Sequence, residues 1–475
     1  MRELIKGKWH FIGIGGVGMS GIAKAWMELG NPVTGSDLVS SELTDRLSAL
    51  GANVRIGEHD PSYITDDLEA VVVSSAIKKD NPELMEAARK GIPVIQRGIC
   101  LARLMEYKKG IAIAGAHGKT TTSAMAAWLL HRCGSRPAFF VGAFIEDLAA
   151  NGKWDSGEYL VAESDESDGS FLELAPHIAI VTNVEDDHLD YYGSVEKISE
   201  AFLEFINKVP DNGKVILCLD DPGVRGILPR VRGYQDSHDP GAPGRVVTYG
   251  TDRAAILRCD EPVYDGEYTR SRLYMREAPI GELVLRLHGR HNILNALGAI
   301  AAGMECGLPM EGMLEAMSEF RGADRRLELI GRAGGVDIYD DYAHHPTEII
   351  ATLSAVADLK PRRCIVAFQP HRYSRTRLLA EKFGPAFNGV DELILLPIFG
   401  AGEEPEEGVD SSLIGGYISK NRRLPHYAAA GIEDAAAIAL EILRPGDLFI
   451  TLGAGNIYAL AEVVLKRLGE KRGGA

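Results

Sequence analysis

At 475 residues the chain is long enough for about three domains, and its 45% hydrophobic and 25% charged content is ordinary for a globular protein with ample core. Lys+Arg 51 against Asp+Glu 67 leaves a net charge of −16, which argues against a general nucleic-acid or anionic-membrane surface, so anionic ligands must be met by local positive sites. The six cysteines are scattered without a C-x-x-C pair, the N-terminus lacks an apolar signal core and no run reaches membrane-spanning length; together these point to free thiols in a cytoplasmic protein.

In chain order, Trp9 to Ile12 run into Gly13-Ile14-Gly15-Gly16-Val17-Gly18, followed by Ile22, Ala23, Trp26 and Leu29 at helical spacing. This is a G-x-G-x-x-G turn between strand and helix. A second strand at Pro32 to Thr34 leads to Asp37, about 20 residues past Gly18, where a ribose-binding acid belongs. The chemistry needed is a diphosphate at a helix N-terminus and a sugar hydroxyl on a carboxylate, so the motif does not separate NAD from a nucleotide-sugar. A third strand, Ala70 to Val73, ends in Ser74-Ser75, whose hydroxyls serve either a ligand at the sheet edge or a turn. Ile92 to Ile95 and a short helix near Leu101 to Met105 complete this unit, with a boundary near Tyr107 to Gly110.

The apolar run Ile111 to Ala114 then enters Gly115-Ala116-His117-Gly118-Lys119-Thr120-Thr121-Thr122 and a helical stretch with Met125, Trp128, Leu129 and Leu130. Strand, glycine turn and helix form the setting of a phosphate-binding loop. Backbone N–H groups and the helix N-terminus attract the anion, Lys119 neutralises terminal phosphate oxygens and the Thr120 hydroxyl ligates Mg²⁺. The glycine that usually stands five residues before the Gly-Lys pair is replaced by Ile113, giving a tighter loop. A strand at Tyr159 to Ala162 delivers Glu163-Ser164-Asp165-Glu166-Ser167-Asp168. Glu163, first off the strand, is the expected metal carboxylate, and the other acids read as a solvated surface. The strand Ile178 to Thr182 ends near His188, a candidate second metal ligand or phosphate contact at the same sheet edge. Asn292 and Asn295 share a helix face, and their carboxamides both donate and accept, as adenine recognition requires; capping is the competing use of Asn292.

After a charged junction, Phe320 to Glu328, strand and helix alternation resumes beyond Gly334-Gly335. Val336 to Tyr339 lead into Asp340-Asp341-Tyr342-Ala343-His344-His345, a histidine pair with no further ligands at zinc-like spacing. Cys364 to Phe368 lead to Gln369-Pro370-His371-Arg372-Tyr373-Ser374-Arg375-Thr376-Arg377. Three arginines so close in an acidic protein form a local carboxylate receiver, because a planar guanidinium matches a carboxylate bidentately; a solvated basic loop is the alternative. Leu448 to Leu452 and Gly453 to Ile457 form a last strand and turn, and the basic tail from Lys466 is expected to fray.

Taken in order, Gly13 to Gly21, Gly115 to Thr122, Glu163 to Phe171, Thr182 to Tyr192 and His291 to Asn295 resemble the serial motifs of the Mur ligases over nearly the whole chain. The resemblance implies an α/β protein of three domains: a Rossmann-like nucleotide-sugar domain over 1–107, a mostly parallel phosphate-loop ATPase domain over 108–323, and a Rossmann-like amino-acid domain over 324–475. It implies ATP and Mg²⁺ as cofactors, and L-alanine joined to the lactyl carboxylate of UDP-N-acetylmuramate through an acyl phosphate, with the domains closing on three ligands. Neither nucleic acid nor membrane is a partner, and monomer and homodimer both stay open.

By the same resemblance Gly13, Gly15, Gly16, Gly18, Asp37, Ser74 and Ser75 hold the UDP-sugar. Gly115, His117, Gly118, Lys119, Thr120, Thr121, Asn292, Asn295, Arg326 and Asp341 hold ATP, and Thr120, Glu163 and His188 the metal. Tyr342, His371, Arg372 and Arg375 receive the amino acid, and Lys119, His188, His345 and Arg375 are the catalytic set. Some Mur ligases carry a carbamylated lysine shortly after the position of His188; Ile198 to Phe205 contain no lysine here, so none is expected, and Glu204 is a substitute carboxylate only on paper. Rival readings are a tripeptide ligase of murein recycling, which should lack the His371 to Arg375 pattern; a folate polyglutamylating enzyme, which does not need Gly13 to Ser75; a nucleotide-sensing module, which leaves the receiver arginines unexplained; and an NAD-dependent oxidoreductase, which leaves Lys119 idle.

Overall fold

The computed structural model describes residues 6–187, 189–234, 244–421 and 423–473. These fold into two compact units, residues 1–262, 270–285 and 292–321 in the first and 263–269, 286–291 and 322–475 in the second.

The first unit holds two sheets. In the N-terminal one, Lys8–Ile12 lies between Val33–Asp37 and Leu68–Val73, with Asn53–Ile56 and Val94–Gln96 at the edges, all parallel. Strand order therefore reverses beside Lys8–Ile12, and the Gly13 loop leaves the sheet at that switch point, where open α/β sheets bind ligands. Alternation along this strand sends Trp9 and Phe11 into one core, where Trp9 stacks on Trp26 with ring centroids 3.9 Å apart, and Ile12 into another. Asp37 is the last residue of its strand rather than a residue beyond it, and the expected short helix spans Arg97–Met105.

The central sheet is built around Lys109–Ala114, flanked in parallel by Ile178–Val181 and Tyr159–Glu163. Lys214–Cys218, Val246–Gly250 and Leu257–Cys259 extend one side; Ala138–Ile145 and the antiparallel Ala150–Lys153 extend the other. Helix Lys119–Arg132 is buried continuously from Thr120 to Leu130, which accounts for its weakly amphipathic sequence. Helix Val17–Glu28 packs on the Ala138–Lys153 hairpin: Asn151 Nδ2 donates to Val17 O at 2.6 Å, Lys24 Nζ to Gly152 O at 3.2 Å, and Gly21 faces Gly152 backbone to backbone. These contacts make one unit of the two sheets.

The second unit carries the sheet Glu328–Ala333, Val336–Asp341, Asp447–Leu452, Arg363–Phe368, Glu392–Leu395 and His426–Ala428 in that order, parallel except for the opening hairpin. Two expectations are corrected. Glu328–Ala333 is a strand before the Gly334-Gly335 turn, and the tail from Lys466 continues helix Tyr458–Gly473, anchored by buried Leu460, Ala461 and Val464. Among the described residues no helix is long and apolar enough to cross a membrane.

Candidate functional site

At the carboxyl edge of the first sheet, the Gly13 and Ile14 N–H groups donate to Ser36 O at 2.8 and 3.0 Å, and the Gly15 N–H donates to Asp37 Oδ2 at 2.8 Å. Asp37 thus braces the glycine turn while keeping its strand-end position. Gly16 caps helix Val17–Glu28 in an extended conformation, and Gly18 lies in the first turn. Ser74 accepts the Ile77 N–H at 3.2 Å through its carbonyl, so it does close a turn, next to exposed Ser75. One residue here was not singled out from sequence. Arg97 lies over the loop, its Nη1 2.9 Å from where a Cβ on Gly18 would stand, and its guanidinium pairs with Asp165 at 2.8 Å.

The phosphate loop of the central sheet is tied down on every side. The His117 N–H donates to Asn183 Oδ1 at 2.8 Å, and His117 O accepts from Thr182 Oγ1 at 2.6 Å and Asn183 Nδ2 at 2.9 Å. The His117 ring stands 3.5 Å from the Glu185 carboxylate. Gly115 and Gly118 have φ of +140° and +80°, and side chains there would collide with Thr182 Oγ1 and Asn295 Oδ1 respectively. Lys119 Nζ donates to Gly115 O at 2.6 Å, Ala116 O at 3.0 Å and Glu166 Oε1 at 2.7 Å. Burial opposes its charge, yet Glu166, Glu163 and Asp165 outweigh that and raise its pKa, so Lys119 is cationic.

Glu163 ends its strand, accepting from Thr120 Oγ1 at 2.9 Å and from the Gly142 N–H at 2.6 Å. A hydroxyl and a carboxylate brought together at a phosphate loop form the hard-oxygen donor set that Mg²⁺ requires, so the residues present fit that ion. Of the other acids of this segment, Glu166 departs from the solvated surface the sequence reading held: its side chain is 4% exposed and paired with Lys119, while half-buried Asp165 is kept ionised, against partial desolvation, by Arg97 and Ser167. No isolated sequence signal separated Glu166 from a charged loop; its burial beside Lys119 is a tertiary contact.

Asn292 is inside helix Arg290–Glu305 rather than at its cap. Asn295 Nδ2 donates to Asn292 Oδ1 at 3.3 Å, and Thr122 Oγ1 donates to Asn295 Oδ1 at 3.2 Å, so the pair is joined to the phosphate loop beside buried Thr121. His188 lies outside the described residues. Glu204 points to solvent from helix Val195–Asn207, 60% exposed and 3.7 Å from Lys208.

In the second unit Asp341 ends its strand buried, accepting from the Leu327 N–H at 2.7 Å, the Ala343 N–H at 2.8 Å and Thr352 Oγ1 at 3.2 Å. Burial lifts its pKa to about 6 despite Arg326 and the backbone donors. The Arg325 and Arg326 guanidiniums stand 5.1 and 5.0 Å from the Tyr342 ring centroid. His345 caps helix Pro346–Asp358, its ring accepting from the Thr347 N–H at 3.4 Å while Glu348 returns to the His345 N–H at 3.1 Å. His344 links Tyr342 to His371, with ring centroids 5.5 Å apart on each side.

The receiver arginines are on a helix start, not a loop. Arg372 precedes helix Tyr373–Ala386 with φ +70°, rare for a residue with a side chain, and is held there by its N–H to Phe399 O at 2.8 Å. Arg375 Nη1 lies 3.2 Å from His371 Nδ1. Burial, then His344, Arg375 and Arg372, push the His371 pKa down to about 3, so the ring is neutral and its Nδ1 accepts from Arg375. Arg377 turns away to Glu406 at 2.8 Å. Tyr342, His371, Arg372 and Arg375 thus share one sheet edge, where two guanidiniums beside a neutral imidazole suit a carboxylate.

Three family models match the chain in series: the Mur ligase family catalytic domain over residues 8–109, the Mur ligase middle domain over 113–303 and the Mur ligase glutamate ligase domain over 325–455. The chain belongs to the Mur ligases. A UDP-N-acetylmuramate–L-alanine ligase of Desulforamulus reducens is 45% identical over 471 residues, 98% of each chain, and one of Geobacter sulfurreducens is 44% identical over 467 residues, again 98% of each. The crystal structure of the UDP-N-acetylmuramate–alanine ligase of Thermotoga maritima, 26% identical, matches with a TM-score of 0.82 over 98% of this chain and 100% of that one. A murein peptide ligase of Psychrobacter arcticus, 23% identical with a TM-score of 0.72 over 98% of this chain and 99% of that one, shares the fold. The Mur ligase middle domain spans the whole constellation from His117 to Asn295, including the tight loop in which Ile113 replaces the usual glycine.

Proposed function

We propose that this Mur ligase joins L-alanine to the lactyl carboxylate of UDP-N-acetylmuramate in the cytoplasm, with ATP converted to ADP and phosphate, as a step of peptidoglycan precursor synthesis. The observation that carries the substrate assignment is 45% identity over 98% of both chains with a ligase of that name. The assigned work divides near residues 107 and 323: nucleotide-sugar at the Gly13, Asp37 and Ser74–Ser75 edge, ATP at the Gly115 to Thr121 loop with Asn292, Asn295, Arg326 and Asp341, and alanine at the Tyr342, His371, Arg372 and Arg375 edge.

A carboxylate at neutral pH is a poor acyl donor, so the lactyl carboxylate first takes the terminal phosphoryl group of ATP. Lys119, cationic and held at the loop, leaves its Glu166 and carbonyl partners for the phosphate oxygens and steadies charge as the phosphoryl group transfers. Mg²⁺, held by Thr120 and Glu163, supplies further neutralisation of phosphate charge when bound. His371 and Arg375 orient alanine by its carboxylate, leaving its amine to attack the acyl phosphate; the tetrahedral adduct collapses with loss of phosphate. His345 faces the reacting groups in this reading.

The test is phosphate release with UDP-N-acetylmuramate, Mg²⁺-ATP and, in separate reactions, L-alanine, glycine, L-serine and a murein tripeptide. Turnover with L-alanine is expected. Turnover confined to the tripeptide would replace alanine as the acceptor, and reduction of added NAD without phosphate release would sink the ligase reading.

A further inference from the structure

On the face of the first sheet opposite Trp9 and Phe11, a single buried carboxylate gathers three partners that the reaction described above does not use. Glu83, in the first turn of helix Pro82–Lys90, is 0% exposed. Its Oε2 is 2.7 Å from His10 Nε2 and accepts from Ser36 Oγ at 2.8 Å, and its Oε1 is 2.7 Å from His59 Nδ1. His10 Nδ1 continues the chain to Thr34 Oγ1 at 2.9 Å. Burial opposes the ionised form of Glu83, but His10, Ser36 and His59 more than compensate, and its pKa is lowered. Taking a carboxylate out of water is unfavourable unless such donors meet it.

The network joins the loops that surround the glycine turn. Ser36, whose hydroxyl binds Glu83, uses its carbonyl to accept the Gly13 and Ile14 N–H groups, and its neighbour Asp37 accepts the Gly15 N–H. The helix that carries Glu83 is capped by Asn81, whose Oδ1 accepts the Glu83 and Leu84 N–H groups at 2.9 and 3.2 Å, and a second turn, Lys78 to Asn81, joins it to the Ser74–Ser75 turn. From that turn Ile77 Cδ1 reaches within 3.4 Å of where a Cβ on Gly13 would stand.

We propose that Glu83 is a positioning residue for the nucleotide-sugar: through Ser36, and with His10 and His59 as braces, it sets the separation of the Ser36–Asp37 strand end and the Ser74–Ser75 loop, and so the shape in which the Gly13 to Gly18 turn receives a nucleoside diphosphate. The inference rests on the reading of this edge as the nucleotide-sugar site. Its chemistry requires a group that accepts on both oxygens. A carboxamide keeps one acceptor and loses the negative charge, and its NH₂ meets a ring nitrogen of His10 or His59 only if that ring turns a lone pair towards it, so the buried network must change tautomer.

The experiment is calorimetric titration of the full chain, wild type, Glu83→Gln and Ser36→Ala, with UDP-N-acetylmuramate and separately with a non-hydrolysable ATP analogue and Mg²⁺, joined to steady-state kinetics. For Glu83→Gln the Kd of the nucleotide-sugar is expected to rise about tenfold and its KM with it, while the Kd of the ATP analogue and kcat at saturation stay within about twofold. Ser36→Ala keeps Glu83 and both histidine contacts, and is expected to weaken the nucleotide-sugar about threefold; it carries the test if Glu83→Gln does not fold. An unchanged nucleotide-sugar Kd in either folded variant overturns the proposal, as does a loss of ATP-analogue affinity and kcat in parallel with it, the mark of a merely structural role. A wild-type chain that binds the ATP analogue but not UDP-N-acetylmuramate would instead overturn the reading of the site beneath it.

Discussion

Lys119 has three oxygen partners, Gly115 O, Ala116 O and Glu166 Oε1, which hold its charge at the loop. Lys119→Ala keeps a good helix former at the helix start but removes the ammonium from the loop and from buried Glu166; ADP formation, followed by a coupled assay, is expected to fall at least about 10²-fold. Arg375→Ala removes the guanidinium beside His371 and is expected to raise KM for L-alanine about tenfold while leaving KM for ATP within about twofold. His371 makes a pH prediction. Its folded pKa, about 3, lies below the ordinary 6.5, so its contribution to stability is complete above about pH 6.5 and is lost as pH falls towards 3. The urea midpoint of the wild type is therefore expected to drop more between pH 7 and pH 5 than that of His371→Asn. At this scale residue type was legible and partnership was not. Lys119, Thr120 and Glu163 could be read from their places on strand and helix, whereas Glu166 looked like one acid among several until burial beside Lys119 separated it from Asp168.

Elements were legible wherever one face is apolar and faded where burial is partial. The strands Lys109–Ala114 and Ile178–Val181 are buried on both faces and announce themselves as continuous apolar runs. Glu328–Ala333 is a half-exposed edge strand, interrupted by Gly331, and has no period-2 pattern to find; only its pairing with Val336–Asp341 makes it a strand. The last helix was obscured by its basic surface, although Leu460, Ala461 and Val464 recur at helical spacing. Helix Val17–Glu28 meets the Ala138–Lys153 hairpin at a place where only hydrogen atoms fit: a Cβ on Gly152 would lie 2.6 Å from Gly21 Cα. Because backbone opposes backbone, neither element can yield by a rotamer change. Gly152→Ala is expected to destabilise the chain by about 1–3 kcal/mol, measured as a shift of the urea midpoint with unchanged slope.

For the whole molecule the expected chemistry is conditional on a divalent ion and three substrates, and chelation is the direct check. Excess EDTA is expected to abolish phosphate release in the presence of all three substrates, with Mg²⁺ restoring it; turnover unaffected by the chelator would remove the role given to Thr120 and Glu163. The serial order of glycine turn, phosphate loop, strand-end acids, asparagine pair and receiver arginines is a property of the chain alone, as are the α/β class and the family, because each motif depends on residues a few positions apart whose geometry local backbone periods dictate. Tertiary structure decided which distant side chains meet. Thr122 finds Asn295 across 173 residues, and His10 finds Glu83 across 73. The folding of the sheets brings those partners together, and no local spacing encodes it. The glycine turn was therefore readable as a phosphate cradle from the sequence, while the buried carboxylate that braces it became visible only when Ser36, His10 and His59 closed around Glu83 from distant strands and loops.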